Sequence, residues 1–116
     1  MIDLDETNTK SLEEEKEMYE PKTDIERNII RRARYIAELN EENGYKWSFI
    51  SELVDIIAQE AFKCEYKKGG WNGKFHVHAR TIIPEALYGK IDIVIRGMVR
   101  NGVIITTRNK DKWRMA

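Results

Sequence analysis

Arg96 and Arg100 stand four residues apart, one helical turn, so on a helix both side chains leave the same face. A guanidinium is a planar fork of donors that can bond two acceptors at once, on a phosphate or on the edge of a guanine. A polar turn follows, carrying Arg108, Lys110, Lys112 and Arg114 around Asn109. Lys90 precedes the arginine pair, and Lys67, Lys68 and Lys74 flank a glycine-rich stretch further upstream. Cations set this densely call for a polyanionic partner, and DNA, double- or single-stranded, is the expected one.

Other chemistries find less support. His76 and His78 are two apart and would share a strand face, but zinc needs three or four closely spaced ligands, and only Cys64 and Glu65 lie near. Two surface histidines are expected, with no metal and no cofactor. The single cysteine has no Cys-x-x-Cys partner, and Gly69-Gly70-Trp71-Asn72-Gly73-Lys74 lacks the spacing of a phosphate-binding loop. No paired carboxylates and no Ser/His/Asp arrangement stand out, so a non-enzyme is expected.

The formal net charge of zero conceals a split. Residues 1–62 hold 16 acidic and 8 basic side chains, whereas 63–116 hold 4 acidic and 12 basic. Such asymmetry points to a nucleic-acid or other anionic partner for the basic half. No apolar run approaches the roughly 18–20 residues that span a bilayer, so no membrane association is expected. The N-terminus is acidic where a signal peptide would be basic and then apolar, and a cytoplasmic location is expected.

The elements that must position the cations can be read in order. Residues 1–22 are rich in Asp and Glu and poor in large apolar side chains, which predicts an acidic flexible tail. A single domain is expected over 23–116. Thr23 and Glu26 form a capping box for a helix over 24–43, stopped by Asn43-Gly44. Ser48 can cap a core helix over 48–66 with the stripe Ile50, Leu53, Val54, Ile57, Ala58, Ala61, Phe62. Phe75 to Ala79 alternates as a short strand, 75–79. Pro84 opens a short helix, 84–88, and Gly89 allows a turn. A helix over 91–101 then buries Ile91, Val94, Ile95, Met98 and Val99, with Gly97 free to approach a backbone closely. A hairpin over 103–115 ends the chain, its Trp113 expected to pack on the core. Ile91, Ile93 and Ile95 also alternate, and Asn101-Gly102 suits a tight turn, so a β-hairpin over 90–107 competes with the helix.

This order, with the local run G-M-V-R-N-G-V-I-I-T-T-R from Gly97 to Arg108, resembles the winged-helix superfamily over residues 48–116. The resemblance is generic and points to no particular member. It implies an α+β winged helix-turn-helix with one additional N-terminal helix. It also implies that 91–101 is the recognition helix and that Arg108, Lys110, Lys112 and Arg114 lie on a wing beside a groove or phosphate backbone. The expected function is nucleic-acid binding, as in a transcriptional regulator or an accessory protein of a mobile or viral genome. The alternative is an adaptor or inhibitor that binds another protein through the scaffold or through residues 1–22. A homodimer through the helix at 24–43 stays open.

Overall fold

The computed structural model describes residues 23–116; the expected acidic tail lies outside the described residues. Helix α1 (Asp24–Glu42) begins where the capping box placed it. The Thr23 side chain accepts a hydrogen bond from the Glu26 amide at 3.1 Å, and Arg27 pairs with Asp24 at 2.7 Å. The helix stops at Asn43, and Gly44 follows at φ +89°, a left-handed turn that suits glycine. Its inner face buries Ile29 and Ala33 against the next helix, so α1 contributes to the core rather than standing apart from it.

A two-residue strand, β1 (Ser48–Phe49), runs directly into helix α2 (Ile50–Phe62). Ser48 is therefore not the helix cap. It is buried in β1, and its hydroxyl accepts from Asn40 Nδ2 at 2.7 Å, while the same amide reaches Glu52 at 3.2 Å. One asparagine thus ties α1, β1 and α2 together. The helix is shorter than expected because its first residues are engaged in strand pairing. At the far end Lys63 turns left-handed at φ 55°, and the Cys64 amide closes onto the Ala58 carbonyl at 3.0 Å.

The next twenty residues form an arm. Strands β2 (Tyr66–Lys67) and β3 (Gly70–Trp71) run out, and β4 (His76–Val77) and β5 (Arg80–Thr81) return antiparallel to them. Tyr66 faces Thr81, Lys67 faces Arg80, Gly70 faces Val77 and Trp71 faces His76. The register is the same on both sides of the interruption, so this is one hairpin. Its turn is set by Asn72, whose Oδ1 accepts from the Lys74 and Phe75 amides at 3.0 Å each, with Gly73 at φ +95°. A Cβ at Gly69 would lie 2.6 Å from the Ala79 nitrogen and 2.7 Å from the Val77 oxygen, so the two chains pass this closely only because Gly69 has no side chain. The strand expected at 75–79 thus exists as the returning half of the arm, separate from the main sheet.

Pro84 leads into a short 3-10 turn (Glu85–Leu87) that continues without a break into helix α3 (Tyr88–Arg100). The two helices expected at 84–88 and 91–101 are therefore one continuous element. Gly89 makes no turn: it sits in the first turn of α3, outside the set of positive-φ residues. The competing hairpin over 90–107 is excluded, because Ile91, Ile95 and Met98 are buried at helical spacing. Strands β6 (Ile104–Thr106) and β7 (Lys112–Met115) close the chain, and the three-stranded antiparallel sheet runs β1-β7-β6.

The fold is thus mixed α+β. Trp113 is fully buried at its centre, in the middle strand, and its indole N–H donates to the Phe49 carbonyl at 2.9 Å across the sheet. Leu53 and Ile57 of α2, Ile91 of α3 and Ile104 of β6 are the other large side chains with almost no exposure. Each contributes about 1.5–3 kcal/mol by leaving water. The inner stripes of α2 and α3 are thereby fixed, and with them the outward direction of the charged faces.

Candidate functional site

The inner stripe of α3 leaves Lys90, Asp92, Ile93, Arg96, Val99 and Arg100 exposed, with Ile93 63 % accessible. Arg96 and Arg100 do share one face. Beside them lies a groove of about 300 Å³ between α3, the start of α2 and the β6–β7 turn. Ile50, Ile95 and Val99 give it an apolar floor, Thr106 closes one side, and Arg96, Arg100 and Lys110 stand at its rim. Residues ten or more apart in sequence, on a helix and a turn, therefore converge on one cleft. A groove with an apolar floor and three cations at its rim, beside the single carboxylate of Asp92, has the chemistry to take sugar edges and phosphates.

The turn that delivers Lys110 is braced from several directions. The Thr107 hydroxyl donates to Asp111 at 2.7 Å, the Lys110 amide bonds the Thr107 carbonyl at 2.9 Å, and the Ile50 amide bonds the Asp111 carbonyl at 2.9 Å. Lys110 itself sits at φ 57°, in the left-handed region where only glycine is unstrained. The Thr107 hydroxyl holds the Asp111 carboxyl below the ordinary carboxylate range, with a smaller contribution from Lys112. Arg108 is exposed on the same turn.

The rim cations are not equivalent. Arg96 pairs with Asp92, one turn back, at 2.8 Å, with both side chains more than half exposed. Arg100 has no salt bridge among the described residues. Asp92 is the groove residue that spacing could have supplied, since it stands four before Arg96 on the same helix face.

The remaining expected cations lie elsewhere. Lys112 and Arg114 alternate with Trp113 on β7 and so point to the outer face of the sheet. There the Lys112 ammonium lies 5.6 Å from the Phe49 ring centroid and the Arg114 guanidinium 5.2 Å from that of Trp47. Arg114 Nε is buried without a hydrogen-bond partner among the described residues. Arg114 therefore packs as a lid on Trp47, at a cleft shared with the C-terminal half of α1, away from the α3 groove. Lys67, Lys68 and Lys74 are exposed on the arm. Of the four arginines on α1, Arg27 is held by Asp24, Arg31 by Asn28, and Arg32 by Glu60 and Gln59.

Gly97 turns toward a crevice of about 190 Å³ between α1 and α3, where Glu26, Ile29 and Ile30 face it. A Cβ there would meet nothing within 4 Å, so no close approach within the fold requires the glycine. His76 and His78 do share a face, with ring centroids 5.0 Å apart and edge to face. Among the described residues no three His, Cys, Asp or Glu side chains gather where they could hold a metal. Cys64 is half-buried against the core. Among the described residues no helix is long and apolar enough to cross a membrane. Comparison with protein-family models, characterised proteins and solved structures finds no match, so a functional reading rests on this chain's own geometry.

Proposed function

We propose that this chain is a DNA-binding module of winged-helix type, with α3 entering a groove and the β6–β7 turn serving as the wing. The observation that carries the reading is the convergence of Arg96, Arg100 and Lys110 on one apolar-floored cleft. The topology supports it. A first helix, a short strand, a second helix and the reading helix are followed by two strands, and β1 supplies the first strand of the sheet by pairing with the wing's return strand. On this reading α1 is the first helix of the motif, and the arm is an insertion before the reading helix. Lys90 and Arg108 add phosphate contacts at the two ends of the interface, and no catalytic step is assigned.

The test is duplex binding at 50 and 200 mM salt with the wild-type chain and with Arg96→Ala/Arg100→Ala. Affinity should fall steeply with salt and, at either salt, by at least tenfold in the double variant, because each good arginine contact contributes about 1–3 kcal/mol. Equal affinities for the two proteins would remove α3 from the interface.

A second reading, a protein-binding adaptor, has its own observation. The outer sheet face carries Phe49, at 60 % exposure, opposite Lys112 on the middle strand, and Ile105 opposite Arg114, whose guanidinium lies over Trp47. A partner captured by that face should be lost with Phe49→Ser while DNA binding is retained.

A further inference from the structure

We propose that the arm formed by β2–β5 is a second nucleic-acid-gripping element, one face of which lies along the phosphate backbone of a duplex. This rests on the reading of the chain as a DNA-binding module and extends it to residues outside the α3 groove. In a hairpin, residues directly opposite share a face and alternate residues change face. Lys67 and Arg80 are opposite one another, and so are Trp71 and His76. His78 shares the face of His76. One side of the arm therefore carries Lys67, Arg80, His78, His76 and, beside the turn, Trp71.

Two observations point to an anionic occupant. Like charges directly opposite on paired strands are destabilising, and neither Lys67 nor Arg80 has a salt bridge among the described residues. The arm has little of its own to offset that cost: Tyr66, Trp71, Phe75 and Val77 are all exposed, with Trp71 at 70 %. A two-stranded hairpin without a buried face is marginal in water. Over residues 63–83 five cations stand against one anion, Glu65, so the arm carries no complement of its own. The six positions from Tyr66 to Trp71 span roughly 17–20 Å, about the rise of five or six base pairs along a backbone, with Trp71 at the far end to pack on sugar or base.

The base of the arm is fixed rather than loose. Thr81 accepts from Gln59 Nε2 at 2.9 Å and donates to Asp55, both on α2. The arm is thereby set at a defined angle to the helices that carry the α3 groove.

The experiment compares wild type, Lys67→Ala/Arg80→Ala and Arg96→Ala/Arg100→Ala on a 12-base-pair and a 30-base-pair duplex across a salt series. Removing two phosphate contacts should lower the slope of log affinity against log salt by about 1.8, so that between 50 and 200 mM the arm variant loses about twelvefold less affinity than wild type. The effect should be at least as large on the longer duplex, which offers more backbone to both elements. Unchanged affinity and slope in the arm variant, with the α3 variant weakened, would overturn the arm and leave the α3 reading intact. A weakened arm variant beside an unaffected α3 variant would uphold the arm and overturn the α3 reading. Neither variant weakened overturns both. Thermal melting guards against misfolding: loss of like-charge repulsion should leave the midpoint equal or higher. Trp71→Phe provides a readout independent of charge, since it should abolish the part of the fluorescence change on binding that comes from the arm; an unchanged signal in that variant counts against the contact.

Discussion

Replacing Asp92 by Asn probes the α3 groove by gain rather than loss. The carboxylate holds Arg96 at 2.8 Å, and both groups are more than half exposed. An exposed pair at this spacing contributes about 0.3–0.5 kcal/mol to folding, so stability should change by no more than that. Binding should change more. A phosphate taken by Arg96 would sit about 6 Å from Asp92, where two like charges repel by roughly 0.7 kcal/mol in water. Freeing Arg96 from its internal partner adds the few tenths the pair was worth. Together these favour the Asn variant by about 1 kcal/mol, close to fivefold in affinity at low salt, and the gain should shrink as screening increases. Fluorescence anisotropy on a labelled duplex measures it. In an Arg96→Ala background Asp92→Asn should give less, because only the repulsion is then removed. An Asp92→Asn variant that binds no more tightly than wild type, or more weakly, would refute a contact between Arg96 and a phosphate of the bound duplex.

Trp113→Phe should lower stability by about 2–4 kcal/mol in urea unfolding, since it leaves the Phe49 carbonyl without its donor and opens space at the centre of the core. Gly97→Ala should raise stability by about 0.5–1 kcal/mol, because a methyl there meets nothing, and should leave duplex affinity unchanged; a fall in affinity would show that the glycine faces the DNA. For Asp111 the folded pKa lies below its unfolded value, so the Thr107 contact stabilises the β6–β7 turn above the ordinary carboxylate range and is lost as pH falls through the lowered value. Its carboxyl resonance should titrate below 3.8 and move upward in Thr107→Val. Asp55 has the opposite sign: burial raises its pKa, so its charge costs stability once pH rises past the ordinary range, and Asp55→Asn should flatten the decline in that window.

How much of this was legible depended on whether a signal was local. The ends of α1 were readable because Thr23, Glu26, Asn43 and Gly44 each satisfy or terminate a specific backbone group. Helix α3 was favoured but not settled by its sequence: the apolar stripe persists beyond Gly97 where the alternation breaks, yet Ile91, Ile93, Ile95 and Asn101-Gly102 fit a hairpin as well. Strand β1 was not readable: two residues carry no periodicity, and Ser48, a good N-cap by type, is instead bonded to Asn40 eight positions away. The arm was half-readable. Asn72-Gly73 between Trp71 and the alternating Phe75 to Ala79 is a hairpin signal, but Gly69-Gly70 hides the outgoing strand. At the groove, helical spacing gave the common direction of Arg96 and Arg100. That Lys110 joins them, and that Arg114 folds onto Trp47, follows from tertiary packing that no spacing rule contains.

The two strands at the base of the arm are hydrogen-bonded neighbours, Tyr66 facing Thr81. The arm's two ends therefore leave the body at adjacent points about 5 Å apart. Such a junction is modular. The projection can be cut back to a tight turn, lengthened, or exchanged for a hairpin of other chemistry, provided the Tyr66–Thr81 pair and the Thr81 bond to Gln59 of α2 are kept.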